Sequence, residues 1–147
     1  MLALLQRLAR SRLAVLGRLP GTHDFVDLAH NPNAISDPAI LVLRPAEPLF
    51  FANVERILGD LTARAASPAV RVVIMSVEES QDLDSTALEA LIECDQRLTT
   101  TGRLLLLARA KEDVREALQR AGADALITGE RCFWSVADAF DYATARR

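Results

Sequence analysis

Apolar and polar positions follow one another along this chain in blocks that predict buried strands and amphipathic helices. The clearest block runs from 70 to 98, where the apolar segment VRVVIM is followed by the polar loop SVEESQDL. A segment so uniformly apolar is typical of a strand covered on both faces of a sheet. After the loop, apolar residues at positions 88, 91, 92 and 98 share one face of a helix. This stretch therefore predicts a strand, a polar loop and a helix that begins at 84–86.

The same patterns predict further elements on both sides of this block. We expect strands at 23–28, 40–43, 49–51, 104–107 and 125–128. We expect helices at 53–66, 111–121 and 135–144, and a short amphipathic helix over 1–16. Because strands and helices alternate from residue 49 onward, helices should cover a largely parallel sheet. The fold class predicted is α/β, with a mixed, mostly parallel sheet, about four helices and an N-terminal edge extension.

Composition limits the protein class. The 147 residues suit one domain, and half of them are apolar. No apolar run approaches the ~20 residues that cross a bilayer, so we expect this chain to be soluble. The net charge of −3 divides into +4 over residues 1–18 and therefore −7 over the remainder. An acidic domain with a basic leader argues against nucleic acid as a partner. The leader is either a solvated end or a segment that contacts anionic lipid.

The predicted helix start at Asp84, Ser85 and Thr86 is the principal candidate site. Thr86 and Glu89 have the spacing of a capping box, which would direct hydroxyls to the free N–H groups of the helix. A phosphate, another anion or a nucleotide could bind at such a helix start. The alternative is that Ser85 or Asp84 only caps the helix.

Asn53 and Phe51 are secondary candidates at the same edge of the predicted sheet. Asn53 is expected to cap its helix, and ligands of open α/β sheets gather beyond the carboxyl ends of strands. The chain has no glycine-rich phosphate loop, so we predict no cofactor, and nucleotide or anion binding stays a weaker hypothesis. If Phe50 and Phe51 lie on a strand, one ring should be buried and the other free to meet a partner.

Three acids of the polar loop, Glu78, Glu79 and Asp82, are predicted to form an interaction loop. Their spacing matches no calcium loop, and no His or Lys stands beside them, so we predict no catalytic residue and no metal ligand. An enzyme with a carboxylate site at 78–84 is the remaining catalytic hypothesis. Phe133 and Trp134 are expected in the core, and Cys94 is expected to be a buried, reduced thiol.

Several segments resemble a known family. Asp84-Ser85-Thr86-Ala87-Leu88 matches the D-[ST]-[ST]-[GA]-L turn of the STAS domain, found in anti-sigma-factor antagonists and in SulP (sulfate permease) anion transporters. The segments LGRLPGT at 16–22, LRPAEP at 43–48 and LFFAN at 49–53 are similar to the region that joins a SulP membrane domain to its STAS domain. The resemblance implies a STAS-like fold, with a basic leader at 1–18 and a STAS domain at 19–147.

The resemblance also implies a function. We expect a non-catalytic regulatory and interaction domain on the cytoplasmic side of the plasma membrane, with its N-terminus next to the membrane. The expected partner is the membrane domain of a parent transporter of sulfate or another anion, with a second STAS domain or a cytosolic regulator as further partners. The alternative is a stand-alone anti-sigma-factor antagonist that is switched by phosphorylation of Ser85.

Overall fold

The computed structural model describes residues 12–146, which form one mixed sheet covered by helices. Its strands stand in the order β2-β1-β3-β4-β5-β6. The strands are β1 (Leu13–Arg18), β2 (Phe25–Asp27), β3 (Ile40–Pro45), β4 (Val72–Ser76), β5 (Leu104–Ala108) and β6 (Cys132–Phe133). The helices are α1 (Val54–Ala65), α2 (Ser85–Thr100), α3 (Glu112–Arg120) and α4 (Val136–Thr144).

The direction of the strands confirms the predicted fold class. Neighbours from β3 to β6 are parallel, whereas β1 is antiparallel to both β2 and β3. The parallel part follows from the crossover helices α1, α2 and α3. The predicted N-terminal edge extension is confirmed, although its strand β1 lies where a helix was predicted.

Strand β4 explains why the chain needs helices on both faces of the sheet. Val73 and Met75 pack in a core cluster with α1, α2 and α3, whereas Val72 and Ile74 pack with α4. All five residues of β4 are buried. Side chains of a strand point alternately to its two faces, so an apolar run of this kind is stable only between two layers.

Two predicted strands are wrong. Residues 49–51 form no strand, because the side chain of Asn53 accepts the amide N–H of Phe50 and closes a turn there. Residues 125–128 form no strand either, since Asp124–Leu126 is a 3₁₀ turn that buries Leu126 in the larger core cluster. The place beside β5 is taken by β6, whose Cys132 pairs with Leu107.

The helix predicted over 1–16 is wrong where the structure describes it. Residues 13–16 belong to β1, with Leu13 and Leu16 buried, and Leu13 pairs with Pro45 on β3. The sheet therefore begins inside the segment assigned to the leader, while residues 1–11 lie outside the described residues. Between residues 12 and 146, no helix is long and apolar enough to cross a membrane.

Leu91 tests the packing of α2 on the sheet. It is fully buried in the larger core cluster. We expect Leu91→Ala to lower the free energy of unfolding by about 2–5 kcal/mol, because it removes buried surface and leaves a cavity. The exposed Glu89 lies on the same helix, and Glu89→Ala is the control that should change stability little. Equal effects of the two substitutions in urea denaturation would contradict the packing described here.

Cys94 predicts how stability depends on pH. Burial raises the pKa of the Cys94 thiol, although a hydrogen bond with Thr62 works in the opposite direction. A raised pKa in the folded state means that the contribution of the thiol to the free energy of unfolding is fully present below the unfolded pKa, about 8.5, and is lost as pH rises through the folded pKa. We expect the free energy of unfolding of Cys94→Ala to fall less steeply above that pH than that of the wild type. Identical slopes would contradict the burial of the thiol.

Candidate functional site

The carboxyl ends of β3 and β4 bring the starts of α1 and α2 together. The amide of Phe51, in the loop before α1, donates a hydrogen bond to Oδ2 of Asp84 at 2.9 Å. The amide of Leu49 donates to the buried Oγ of Ser80 at 3.0 Å. These two bonds join the loop 46–53 to the loop 77–84. The expectation that both helix starts share one edge of the sheet is confirmed.

Asp84 caps α2 with its carboxylate. Its Oδ1 accepts the amide N–H of Ala87 at 2.8 Å, from the extended backbone conformation typical of an N-cap. The predicted capping box of Thr86 and Glu89 is therefore wrong, and Asp84 is the residue that caps α2. A carboxylate is favoured there because the N-terminus of a helix carries a partial positive charge.

Ser85 and Thr86 are the first two residues of α2, and both are exposed. Their hydroxyls therefore lie at the surface, where a partner or a modifying enzyme can reach them. The Asp84 carboxylate already occupies the positive end of the helix, with both of its oxygens accepting backbone N–H groups. The helix start offers hydroxyl groups next to a carboxylate, which suits recognition of a partner through hydrogen bonds.

Asn53 stands at the N-cap position of α1, but its side chain makes no capping hydrogen bond. The prediction that it caps α1 is wrong in this respect. Its Oδ1 accepts the amide of Phe50 at 2.9 Å, and its Nδ2 donates to the carbonyl of Pro48 at 2.8 Å and to Glu47 at 3.1 Å. Asn53 is buried, and it fixes the shape of the loop from within.

This loop exposes both phenylalanines. Phe50 is 43% exposed and Phe51 is 68% exposed, and their rings meet edge to face with centroids 5.6 Å apart. The prediction that one ring is buried is wrong, because residues 49–51 form no strand and their side chains do not alternate. Leu49 is buried instead. Two adjacent exposed aromatic rings form an apolar patch of the kind that marks contact surfaces.

The acids of the polar loop do not converge on one point. Glu78 lies 3.6 Å from the guanidinium of Arg44 and 3.0 Å from that of Arg109. Asp82 accepts the amide of Leu83, and Glu79 is exposed. Within the described part of the chain, no group of His, Cys, Asp and Glu is placed to hold a metal ion.

Trp134 differs from its predicted place. It is 64% exposed, and the guanidinium of Arg115 lies 3.8 Å from the centre of its ring. Phe133 does pack against the core layer under α4, with its ring 5.3 Å from that of Tyr142. Core packing was therefore predicted correctly for Phe133 and wrongly for Trp134, because Trp134 follows β6 at the edge of the sheet.

The chain enters the sheet at the carboxyl end of β3. The carbonyl of Arg12 accepts the amide of Ala46 at 2.8 Å, directly before the pairing of Leu13 with Pro45. Sequence patterns did not indicate this contact or the role of Ser80, since each joins residues more than thirty positions apart. The structure thus gathers the chain entry, the two phenylalanines and the start of α2 at the carboxyl ends of the parallel strands.

Comparison with known proteins fits this geometry. The family model of the STAS domain matches residues 31–139. The chain belongs to the STAS domain family. A probable sulfate transporter of Mycobacterium tuberculosis strain CDC 1551 is 34% identical over 126 residues, which cover 82% of this chain and 22% of that protein. The STAS chain therefore spans less than a quarter of this curated relative.

Solved structures show the same fold. The murine solute carrier 26 family member A9 anion transporter, in its inward-facing state, matches with a TM-score of 0.81 and 17% identity. That match covers 99% of this chain and 24% of the transporter chain. The STAS domain of a SulP transporter from Vibrio cholerae matches with a TM-score of 0.63 and 21% identity, over 80% of this chain and 91% of that domain.

The cap of α2 can be tested by substitution. Asp84→Ala should lower the free energy of unfolding by about 1–2 kcal/mol, because it removes the acceptor of the Ala87 amide. Loss of the bond from Phe51 adds to this cost. Ser85→Ala and Thr86→Ala should each change stability much less. Urea denaturation of the three variants checks this order. A larger loss of stability for Thr86→Ala than for Asp84→Ala would contradict the Asp84 cap and favour the capping box of Thr86 and Glu89.

Proposed function

We propose that this STAS domain is the non-catalytic, cytosolic regulatory and interaction domain of a SulP-type anion transporter. Support comes from its sequence similarity to a probable sulfate transporter and from its structural similarity to part of an anion transporter chain. Sulfate or another anion would be the substrate of the parent protein. The domain would act by binding to other parts of that protein, on the cytoplasmic side of its membrane.

The observation that carries this proposal is the surface at the carboxyl ends of the parallel strands. We call it the docking edge and define it by Arg12, Phe50, Phe51, Ser85 and Thr86. It combines exposed aromatic rings with exposed hydroxyls on a backbone fixed by the Asp84 bonds. Aromatic residues on a rigid frame are enriched at protein interfaces, because they bury much surface with little loss of conformational entropy.

We assign the membrane domain of the parent transporter as the occupant of the docking edge. The described chain enters the sheet at Arg12, beside Ala46 and next to the loop that carries Phe50. Whatever precedes residue 12 in the parent protein therefore reaches the domain at this edge. The preceding residues include Arg7 and Arg10 and no acid, which agrees with the positive charge expected on the cytoplasmic side of membrane segments.

Ser85 and Thr86 have a defined part in this proposal. Their exposed hydroxyls would make hydrogen bonds at the border of the aromatic contact. A phosphate on Ser85 would add a charge of about −1.5 to −2 directly beside the Asp84 carboxylate. We therefore expect phosphorylation at this position to weaken docking by adding charge that must be desolvated at the interface.

The docking edge predicts the effect of replacing its aromatic rings in the full-length transporter. Phe50→Ser combined with Phe51→Ser should reduce anion uptake several-fold at equal membrane abundance, because it removes the apolar contact. The fold should be retained, since both rings are exposed. The measurement is the uptake of labelled sulfate into vesicles or cells, normalised to transporter in the membrane.

Trp134→Ser provides the matched control, since Trp134 is about as exposed as Phe51 but follows the last strand of the sheet, β6, where it stacks on Arg115 of α3 and is not one of the residues that define the docking edge. This control should leave uptake unchanged. Normal uptake in the Phe50 and Phe51 double variant would contradict docking through this surface. An equal loss in the Trp134 variant would show that exposed aromatic residues affect uptake wherever they lie, and would also contradict it.

A further inference from the structure

A second polar feature lies on the α4 face of the sheet, also at the carboxyl ends of the parallel strands, and none of the residues that define the docking edge line it. It is a cleft of about 270 Å³ between the end of β3, the loops that follow β4 and β5, and the start of α4. Its charged lining residues are Arg44, Arg109, Glu78 and Asp24, and His23 and the residues from Ser135 to Ala137 line it as well. The cleft is large enough for a small polyatomic anion.

Two guanidinium groups converge on one carboxylate in this cleft. Arg44 comes from β3 and Arg109 from the loop after β5, and Glu78 is the ion-pair partner of both among residues 12–146. The Arg44 contact with Glu78 is 3.6 Å long and the Arg109 contact is 3.0 Å long. Both side chains are partly exposed, so these planar forks keep N–H groups that water or a ligand can reach. Such forks match the oxygens of phosphate and sulfate.

The position of Arg109 is held by the backbone. Arg109 is the one non-glycine residue between 12 and 146 with a positive φ, 59°. Its amide donates to the carbonyl of Phe133 at 2.8 Å, which fixes this conformation against β6. Left-handed backbone is unfavourable for a residue with a side chain, and it persists where the surroundings impose it. The guanidinium is thus directed towards Glu78 by the fold.

The start of α4 adds N–H donors to the cleft. Ser135 caps this helix, and its Oγ accepts the amide of Asp138 at 3.0 Å. Val136 and Ala137, in the first turn of α4, line the cleft, and the first N–H groups of a helix have no carbonyl partner within it. A helix N-terminus of this kind favours negative charge.

A buried hydroxyl on the same face also lacks a partner. Oγ of Ser76, the last residue of β4, is buried and makes no hydrogen bond to residues 12–146. By the alternation of β4, Ser76 shares the α4 face with Val72 and Ile74. Buried hydroxyls are nearly always hydrogen-bonded in folded proteins. Ser76 is not among the residues that line the cleft, so its hydroxyl is a neighbouring polar group and not part of the proposed site.

We propose that the cleft formed by Arg44, Arg109 and the start of α4 binds a small oxyanion of the phosphate or sulfate type. Glu78 occupies part of this site as a competing carboxylate. The oxyanion would bind between the two guanidinium forks and the amides of Val136 and Ala137. This site belongs to the domain itself, so it does not depend on docking to a membrane domain.

The test is an NMR titration of the ¹⁵N-labelled chain with inorganic phosphate and, separately, with sulfate, each at constant ionic strength maintained with chloride. We expect saturable shifts of the Arg109, Val136 and Ala137 amides with the oxyanions and none with chloride alone. Arg44→Gln and Arg109→Gln should each weaken binding by about tenfold or more. Glu78→Gln should tighten binding, because it removes the competing negative charge.

Arg97→Gln is the control, since Arg97 is exposed on α2 and pairs with Glu93. The affinity of this variant for phosphate and sulfate should equal that of the wild type. Circular dichroism checks the fold of each variant. If Arg44→Gln misfolds, Arg109→Gln still tests the site, because Arg109 is a loop residue with a half-exposed side chain. Absent or unsaturable shifts, equal shifts in chloride, or weaker binding by Glu78→Gln would overturn the proposal.

Discussion

The carboxylate of Asp84 holds together the part of the molecule on which its proposed function depends. One oxygen accepts the Ala87 amide and starts α2, and the other accepts the Phe51 amide and fixes the loop before α1. A single charged group thus joins two crossover connections that are 33 positions apart in the chain. Charge-assisted bonds to backbone N–H groups are among the stronger hydrogen bonds of proteins. Without this bridge, the loop that exposes Phe50 would lose its contact with α2.

The bridge also explains why the edge is suited to recognition. Asn53 closes the turn from within, and Ser80 holds Leu49 from the neighbouring loop. The amides of Leu49, Phe50 and Phe51 therefore have acceptors inside the domain, and the exposed rings are presented on an ordered frame. An ordered surface loses less entropy on binding than a flexible one.

Much of the fold could be predicted from the sequence, because it depends on local periodicity. The run from Val72 to Met75 is apolar at every position, and a strand buried on both faces needs this pattern. The starts of α2 and α4 also carry their own signals in Asp84 and Ser135. The conformation of the loop 46–53 was not predictable in this way, since Leu49-Phe50-Phe51 has the composition of a strand. Its conformation is decided by Asn53, Ser80 and Asp84, two of which come from a distant loop. The exposure of Trp134 likewise depends on where β6 ends, which no local pattern shows.

The most direct test of this account is hydrogen–deuterium exchange in the full-length transporter and in the isolated domain. We expect amides of 46–53 and 84–87 to exchange more slowly in the full-length protein, because the membrane domain covers them. The opposite end of the domain, where Arg103 closes the groove between the last turns of α1 and α2, should exchange equally in both. Slower exchange at that groove, with no change at 46–53, would contradict the assignment of the carboxyl edge as the contact surface.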